Sequence, residues 1–330
     1  MTAGHVAVVS QRKSHPYRGF LLRMVLGIAM VFFLVRYVDA RSAFRIVVRE
    51  NPWFFVAAGV LYVVGHGLAA YRWQLLAGML GLRGSFAEFL ALYFVGLFIN
   101  LFVPWQVGGD AGRAVYLGRR RNRMIEAVAS VVANRVYGLL GLFWIAAAAA
   151  LLLGNRGFPV RVARPVIVVG ALSVVAFVSS PWLADLVHLM PRAVQRTGTL
   201  VEPYFRNPLG VLPAIGLSIA FQALLAGAQW LLALGLGLNL SLASFLLVVP
   251  LAGALSSLSL TPAGLGLREA VYLVLFGMIG LGHNDAVALG LLYFALITII
   301  SLSGSVAFIS TGFTPRARER IDQLETSETK

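Results

Sequence analysis

PWQVGGDAGRAVYL, from Pro104 to Leu117, sets a proline, glycines and an Asp110/Arg113 pair inside a chain that is otherwise strongly apolar. A second stretch, TPAGLGLREAVYL from Thr261 to Leu273, repeats the design. It too has a proline, glycines and a charged pair, and it closes on the same Ala-Val-Tyr-Leu (Ala114 to Leu117, Ala270 to Leu273). In a hydrocarbon core every backbone N–H and C=O must be satisfied within the protein, so irregular backbone at that depth survives only where it is buried or lines a cavity. The two stretches therefore read as breaks in membrane helices. They decide the fold: an all-α, polytopic integral membrane helix bundle with two Gly/Pro-broken hairpins.

Composition agrees. Of 330 residues, 59% are hydrophobic and 12% are charged, with a mean hydropathy of +0.84. Soluble domains carry roughly a quarter of their residues as charges, and a hydrocarbon core tolerates almost none. The net charge of +14 does not point to nucleic acid, because the arginines lie in short clusters between apolar runs. Such clusters set topology and meet anionic headgroups. There is no cysteine, which excludes a disulfide framework, a thiol nucleophile and Cys-based metal sites.

About eight apolar segments are long enough to cross: Gly19–Val38, Trp53–Leu76, Phe86–Val103, Ile125–Leu153, Val162–Leu183, Leu209–Leu236, Ala243–Leu260 and Ala286–Gly312. Two shorter apolar pieces, Asp110–Leu117 and Leu267–Leu281, follow the glycine-rich breaks and read as return arms. The basic start, with Arg12, Lys13 and Arg18, precedes a run too long for a signal peptide. The expected organisation is a cytoplasmic leader over 1–18, a transmembrane domain over 19–312 and a polar, disordered tail over 313–330. Pro181 to Pro208 reads as a polar interlude with an interfacial helix.

Charge counting gives the hairpins an orientation. If Phe86–Val103 simply crossed, Arg119, Arg120, Arg121 and Arg123 would lie outside, against the positive-inside bias. A re-entrant hairpin turning at Pro104–Gly109 returns them to the cytoplasm, where both termini are also expected. On the same count the second hairpin opens outward, so the pair forms an inverted-topology repeat with a substrate site near the midplane.

The second half of a broken helix starts with unpaired N–H groups and a positive dipole end, which favour an anion. Gly108, Gly109, Gly264 and Gly266 would let a phosphate approach the backbone. Arg113 shares a face with Asp110 in the first turn, and Arg268, with Glu269 beside it, stands in the equivalent place beyond Gly266. The functional reading is a paired cradle with Arg113 and Arg268 as anion donors. The structural reading has Asp110 as a helix cap and Arg113 as its partner. Arg135 lies within an apolar helix with no carboxylate at helical spacing, and it joins the expected lipid path. Arg72 is expected to snorkel to the interface beside Trp73. Asn100, Gln222 and Gln229 read as interhelical hydrogen-bonding groups. The five histidines are scattered singly, and neither a Gly-x-Ser-x-Gly elbow nor a phosphate loop is present.

The run from Asn100 through PWQVGGDAGR, then NRVYGLLGL, then SLTPAGLGLREA resembles the transmembrane region of lysylphosphatidylglycerol synthases and its stand-alone, flippase-like relatives. The resemblance extends from about Arg72 to Gly304. It implies a multi-pass protein of a bacterial or archaeal plasma (inner) membrane that moves an anionic phospholipid or related lipid between leaflets. It also carries functional weight onto Asn100, Pro104, Gly108, Gly109, Asp110, Arg113, Arg135, Pro262, Gly264, Gly266, Arg268 and Glu269. Asn134 departs from relatives that have an acidic residue there, which leaves Arg135 without its usual neighbouring counter-charge. No aminoacyl-transferase domain is expected after Gly312. The expected protein is a translocase rather than an enzyme, with no catalytic residue, metal or cofactor. Its partners are a membrane lipid and an envelope-synthesis enzyme, not nucleic acid. The alternatives are an integral-membrane lipid-modifying enzyme acting on a polyprenyl or phospholipid substrate, and an accessory subunit of a cell-envelope lipid synthase.

Overall fold

The computed structural model describes residues 52–103, 107–182, 198, 200, 202–257 and 267–310. The expected first span, the basic leader, the tail and most of the polar interlude lie outside these residues. Regular structure among the described residues is α-helical: α1 (Pro52–Met79), α2 (Phe86–Asn100), α3 (Val107–Arg121), α4 (Met124–Gly157), α5 (Val160–Val178), α6 (Pro208–Gly235), α7 (Leu242–Ser256), α8 (Leu267–Gly277) and α9 (His283–Ser310). Helices α1, α4, α5, α6 and α9 are long and apolar enough to cross a membrane. The chain is a multi-pass, all-α membrane protein.

The remaining helices are short. At 15 residues, α2, α3 and α7 reach about 22 Å at 1.5 Å per residue, against a hydrocarbon core of about 30 Å. Helix α8 has 11 residues. The apolar runs Phe86–Val103 and Ala243–Leu260, read from sequence as long enough to cross, therefore become helices that stop several ångströms short. The return arm Asp110–Leu117 is longer than expected, because α3 carries on through Arg119, Arg120 and Arg121.

Helix ends are written locally. Helix α1 stops where Gly81 takes φ 76°, and the Leu82 N–H donates back to the Ala77 carbonyl at 3.0 Å. Helix α6 stops the same way: Gly237 takes φ 74°, and the Leu238 N–H donates to the Ala233 carbonyl at 2.9 Å. Glycine at this left-handed position avoids the Cβ strain and satisfies carbonyls that the helix leaves over. The next helices start alike too. Ser85 accepts the Glu88 N–H and Ser241 accepts the Ser244 N–H, both at 3.2 Å, supplying the N-cap that an exposed first turn requires.

Packing sets the helix directions. The Tyr204 hydroxyl, just before α6, donates to the Leu76 carbonyl near the end of α1 at 2.8 Å. At the other end, Gly235 of α6 faces Phe54 of α1. The two long helices are therefore antiparallel neighbours. Helices α2 and α3 form an antiparallel pair. Arg121 Nη2 donates to Glu88 Oε2 at 2.7 Å across the open end, and the Gly109 N–H donates to Asn100 Oδ1 at 2.8 Å near the turn. Helices α7 and α8 pair likewise, with the Phe245 and Phe276 rings 4.9 Å apart. Helix α9 lies on α2 so closely that a Cβ on Gly304 would collide with the Phe94 carbonyl. The main core runs through α1, α4, α5, α6, α7, α8 and α9, and a smaller one holds Trp73, Phe89 and Leu117 beneath the first short pair.

Candidate functional site

Both short pairs border one cavity of about 460 Å³. Its wall takes residues from every helix except α5, and those residues include four arginines: Arg72, Arg113, Arg135 and Arg268. Asp110 is the sole carboxylate among the described lining residues.

Asp110 serves two guanidinium groups. Arg113 Nη2, one turn along α3, bonds to its Oδ1, and Arg135 Nε of α4 reaches its Oδ2 at 3.0 Å. The counter-charge that sequence spacing does not supply to Arg135 comes from another helix. Arg113 is only 7% exposed, and its guanidinium lies 4.4 Å from the Tyr93 ring and 5.2 Å from the Trp73 ring. These ring faces stabilise a cation but accept no conventional hydrogen bond. Its Nε and Nη1 accordingly have no hydrogen-bond acceptor among the described residues. Gly96 makes room for this side chain, since a Cβ there would press on the Arg113 stem at 3.0 Å.

Arg72 corrects the expectation of an interfacial anchor. It is buried, donating from Nε to Asn134 Oδ1 and from Nη1 to Ser218 Oγ, each at 2.8 Å. The reason is length: α1 continues seven residues past it to Met79, too far for the side chain to reach the helix end, while α4 and α6 offer polar groups at its own depth. Arg268 is also buried and stacks on Tyr293 at 5.0 Å. A charged residue at mid-membrane costs at least about 2.5 to 3.5 kcal/mol on insertion scales. Four on one cavity wall form an arrangement suited to anion binding.

The other expected residues fall differently. Asn100 lines the cavity while holding the Gly109 N–H. Gly108 and Gly109 border the neighbouring helix instead: a Cβ on Gly109 would run into the Gly96 carbonyl, and one on Gly108 would meet Val103. Their missing side chains are explained by the close approach of α2 and α3, and the Gly109 N–H is already spent on Asn100. Gly264 and Gly266, with Pro104 and Pro262, lie outside the described residues, as does the side chain of Glu269. Two of the polar residues within spans make the expected interhelical hydrogen bonds: Asn100 Oδ1 accepts the Gly109 N–H of α3, and Gln229 Oε1 accepts the Tyr272 hydroxyl of α8.

Sequence reasoning missed Tyr62, His66, Tyr93 and Tyr293 on the wall. One signal was available on α1, where Tyr62 and His66 lie four residues apart in its apolar first two-thirds; the Nδ1 of His66 is 2.9 Å from the Tyr62 carbonyl. Among the described residues no group of His, Asp and Glu is arranged to hold a metal ion.

Comparison with known proteins places this architecture. The family described as the lysylphosphatidylglycerol synthase TM region matches residues 20–304. Among curated proteins, the UPF0104 membrane protein MJ1595 of Methanocaldococcus jannaschii is 25% identical over 97 residues, 29% of each chain. The UPF0104 membrane protein PH1989 of Pyrococcus horikoshii is 20% identical over 122 residues, 36% of each chain. The matched stretch thus spans well under half the length of either curated relative. With the family match covering most of its length, the chain belongs to the lysylphosphatidylglycerol synthase TM region family.

Proposed function

We propose that this protein is a lipid translocase that carries an anionic headgroup through the bilayer while the hydrocarbon tails stay in lipid. The observation that carries the reading is the cavity wall itself: four arginines against Asp110 as the one carboxylate among its described residues. Such a surface favours an anion and disfavours a cation by simple Coulomb attraction in a medium of low dielectric. Arg268 is the second residue of the return helix α8 and adds a guanidinium to the positive end of its dipole, while Arg113 stands on the second turn of α3.

The short pairs are read as re-entrant hairpins and the two halves as an inverted repeat. Several matched positions support this, each 156 residues apart: Pro52 and Pro208 at the start of a 28-residue helix, Gly81 and Gly237 at its end, Ser85 and Ser241 as caps, Ala114 and Ala270 opening the shared tetrapeptide. Gln74 donates to the Gly84 carbonyl, and Trp230, its counterpart at the same separation, donates to Leu240. Because α1 and α6 are antiparallel, the halves point in opposite directions.

The test is lipid movement by the purified full chain in vesicles carrying fluorescent phosphatidylglycerol, read by access of an impermeant quencher. Flux above empty vesicles is expected, with Arg113→Ala and Arg268→Ala each lowering it at least tenfold. Unchanged flux in both variants would sink the cradle, and no flux from the intact protein would sink the translocase.

A further inference from the structure

Resting on that reading, we infer that the headgroup this cavity takes is a dianionic phosphate monoester on a lipid, and that Arg72 with Asn134 sets this preference. The ledger is one of charge on the cavity wall, where Arg72 and Arg113 are buried and the Arg135 side chain is 40% exposed. Asp110 is shared between Arg113 and Arg135, one oxygen to each. Arg72, 4% exposed, bonds only to the neutral amide oxygen of Asn134 and to the Ser218 hydroxyl, and no carboxylate lies within ion-pair distance of it among the described residues. Among the described residues three guanidiniums thus face one carboxylate, an excess of two positive charges for the occupant to balance before Arg268 is considered. A phosphodiester brings one negative charge, whereas a monoester brings about 1.5 to 2 at neutral pH. A headgroup bearing a free amine adds a positive charge to a wall already in surplus.

The remaining hydrogen-bonding capacity points the same way. Arg113 Nε and Nη1 are buried donors without acceptors among the described residues, and a monoester has three terminal oxygens to offer where a diester has two. A lipid rather than a soluble phosphate is favoured by the wall on the α4 side. Leu139 lines the cavity and is also 39% exposed, next to Val136 on the apolar outer face of the same helix. The chamber thus has an apolar border on α4, where Leu139 and Val136 are both exposed, suited to hydrocarbon tails.

Asn134→Asp isolates the idea, because it keeps the size and the acceptor for Arg72 Nε while adding one negative charge. The experiment is calorimetric titration of the full chain in detergent at pH 8 with short-chain phosphatidic acid, phosphatidylglycerol, lysyl-phosphatidylglycerol and glycerol 3-phosphate. Phosphatidic acid is expected to bind at least tenfold more tightly than phosphatidylglycerol, and the lysyl lipid least of the three. In Asn134→Asp the phosphatidic acid advantage should fall about tenfold. In the unmodified protein it should also shrink at pH 5, below the second phosphate pKa of about 6. Equal affinity for phosphatidic acid and phosphatidylglycerol, or an advantage untouched by Asn134→Asp, overturns the dianion while leaving the translocase reading standing. Glycerol 3-phosphate binding as tightly as phosphatidic acid overturns the lipid cargo and the translocase reading together.

Discussion

Asp110 holds the site together, and under the proposed function it would compete with an anionic occupant. Its two oxygens bridge Arg113 on α3 and Arg135 on α4, so removing the charge leaves a buried guanidinium short of a partner. Breaking a fully buried pair costs about 3 to 5 kcal/mol. Here the Arg135 side chain is 40% exposed, and solvent screening reduces the expected loss to about 1 to 3 kcal/mol. Asp110→Asn should therefore lower the thermal midpoint in detergent and at the same time tighten binding of an anionic lipid, because the internal competitor is gone. A parallel fall in stability and affinity would show that Asp110 does not face the ligand. Gly109 gives a second contrast. Gly109→Ala pushes a Cβ into the Gly96 carbonyl, whereas one on Gly67 meets nothing within 4 Å. Overpacking typically costs about 1 to 3 kcal/mol, and Gly→Ala at an open helical site gains about 0.4 to 1; opposite shifts in unfolding temperature are expected. At this scale the sequence was partly readable. Asp110, Arg113, Arg135 and Arg268 were visible as charges in apolar surroundings, but Arg72 was assigned to the interface, because its partners Asn134 and Ser218 are 62 and 146 residues away.

The elements owe their limits to a few punctuating residues. Gly81 and Gly237 sit at φ 76° and φ 74°, with the same carbonyl-capping bond pattern after each long helix. Placing an L-residue in that region costs about 1 to 2 kcal/mol. Gly81→Ala and Gly237→Ala should each destabilise by that amount, and Asn at either position should recover part of the loss, as measured by denaturant unfolding. A much smaller cost at one site would mean that its helix end relaxes. Helix existence was legible from apolar length alone, and the starts of α2 and α6 fall within one residue of the apolar runs. Where short helices end was not. The run Phe86–Val103 stays apolar past Asn100, but α2 stops there. Hydropathy does not register the turn that lets Asn100 take the Gly109 N–H.

At the scale of the whole molecule, two halves with matching frames carry unmatched charges. The cap, the helix-ending glycine and the Ala-Val-Tyr-Leu segment keep a constant separation, yet the position of Arg72 corresponds to Ala228 and that of Trp73 to Gln229. The first half thus supplies most of the cationic wall, and the second supplies Gln222, Gln229 and Tyr272 beside Arg268. The echo legible in the sequence was the proline, the glycines, the charged pair and the closing Ala-Val-Tyr-Leu; the constant separation of the caps and helix-ending glycines shows only once the helix ends are known. If the halves are inverted, the link between α1 and α2 and the link between α6 and α7 lie on opposite faces of the membrane. Arg83 and Asn239 occupy those links at equivalent places, and the chain has no cysteine of its own. Arg83→Cys and Asn239→Cys therefore make single, unambiguous reporters. An impermeant maleimide added to intact cells should label Asn239→Cys, while Arg83→Cys should react only after permeabilisation, since the basic cluster around Arg119 to Arg123 lies on its side and favours the cytoplasm. Labelling of both from one face would rule out the inverted arrangement, because a re-entrant pair and an antiparallel α1 and α6 leave no other way to place the two links.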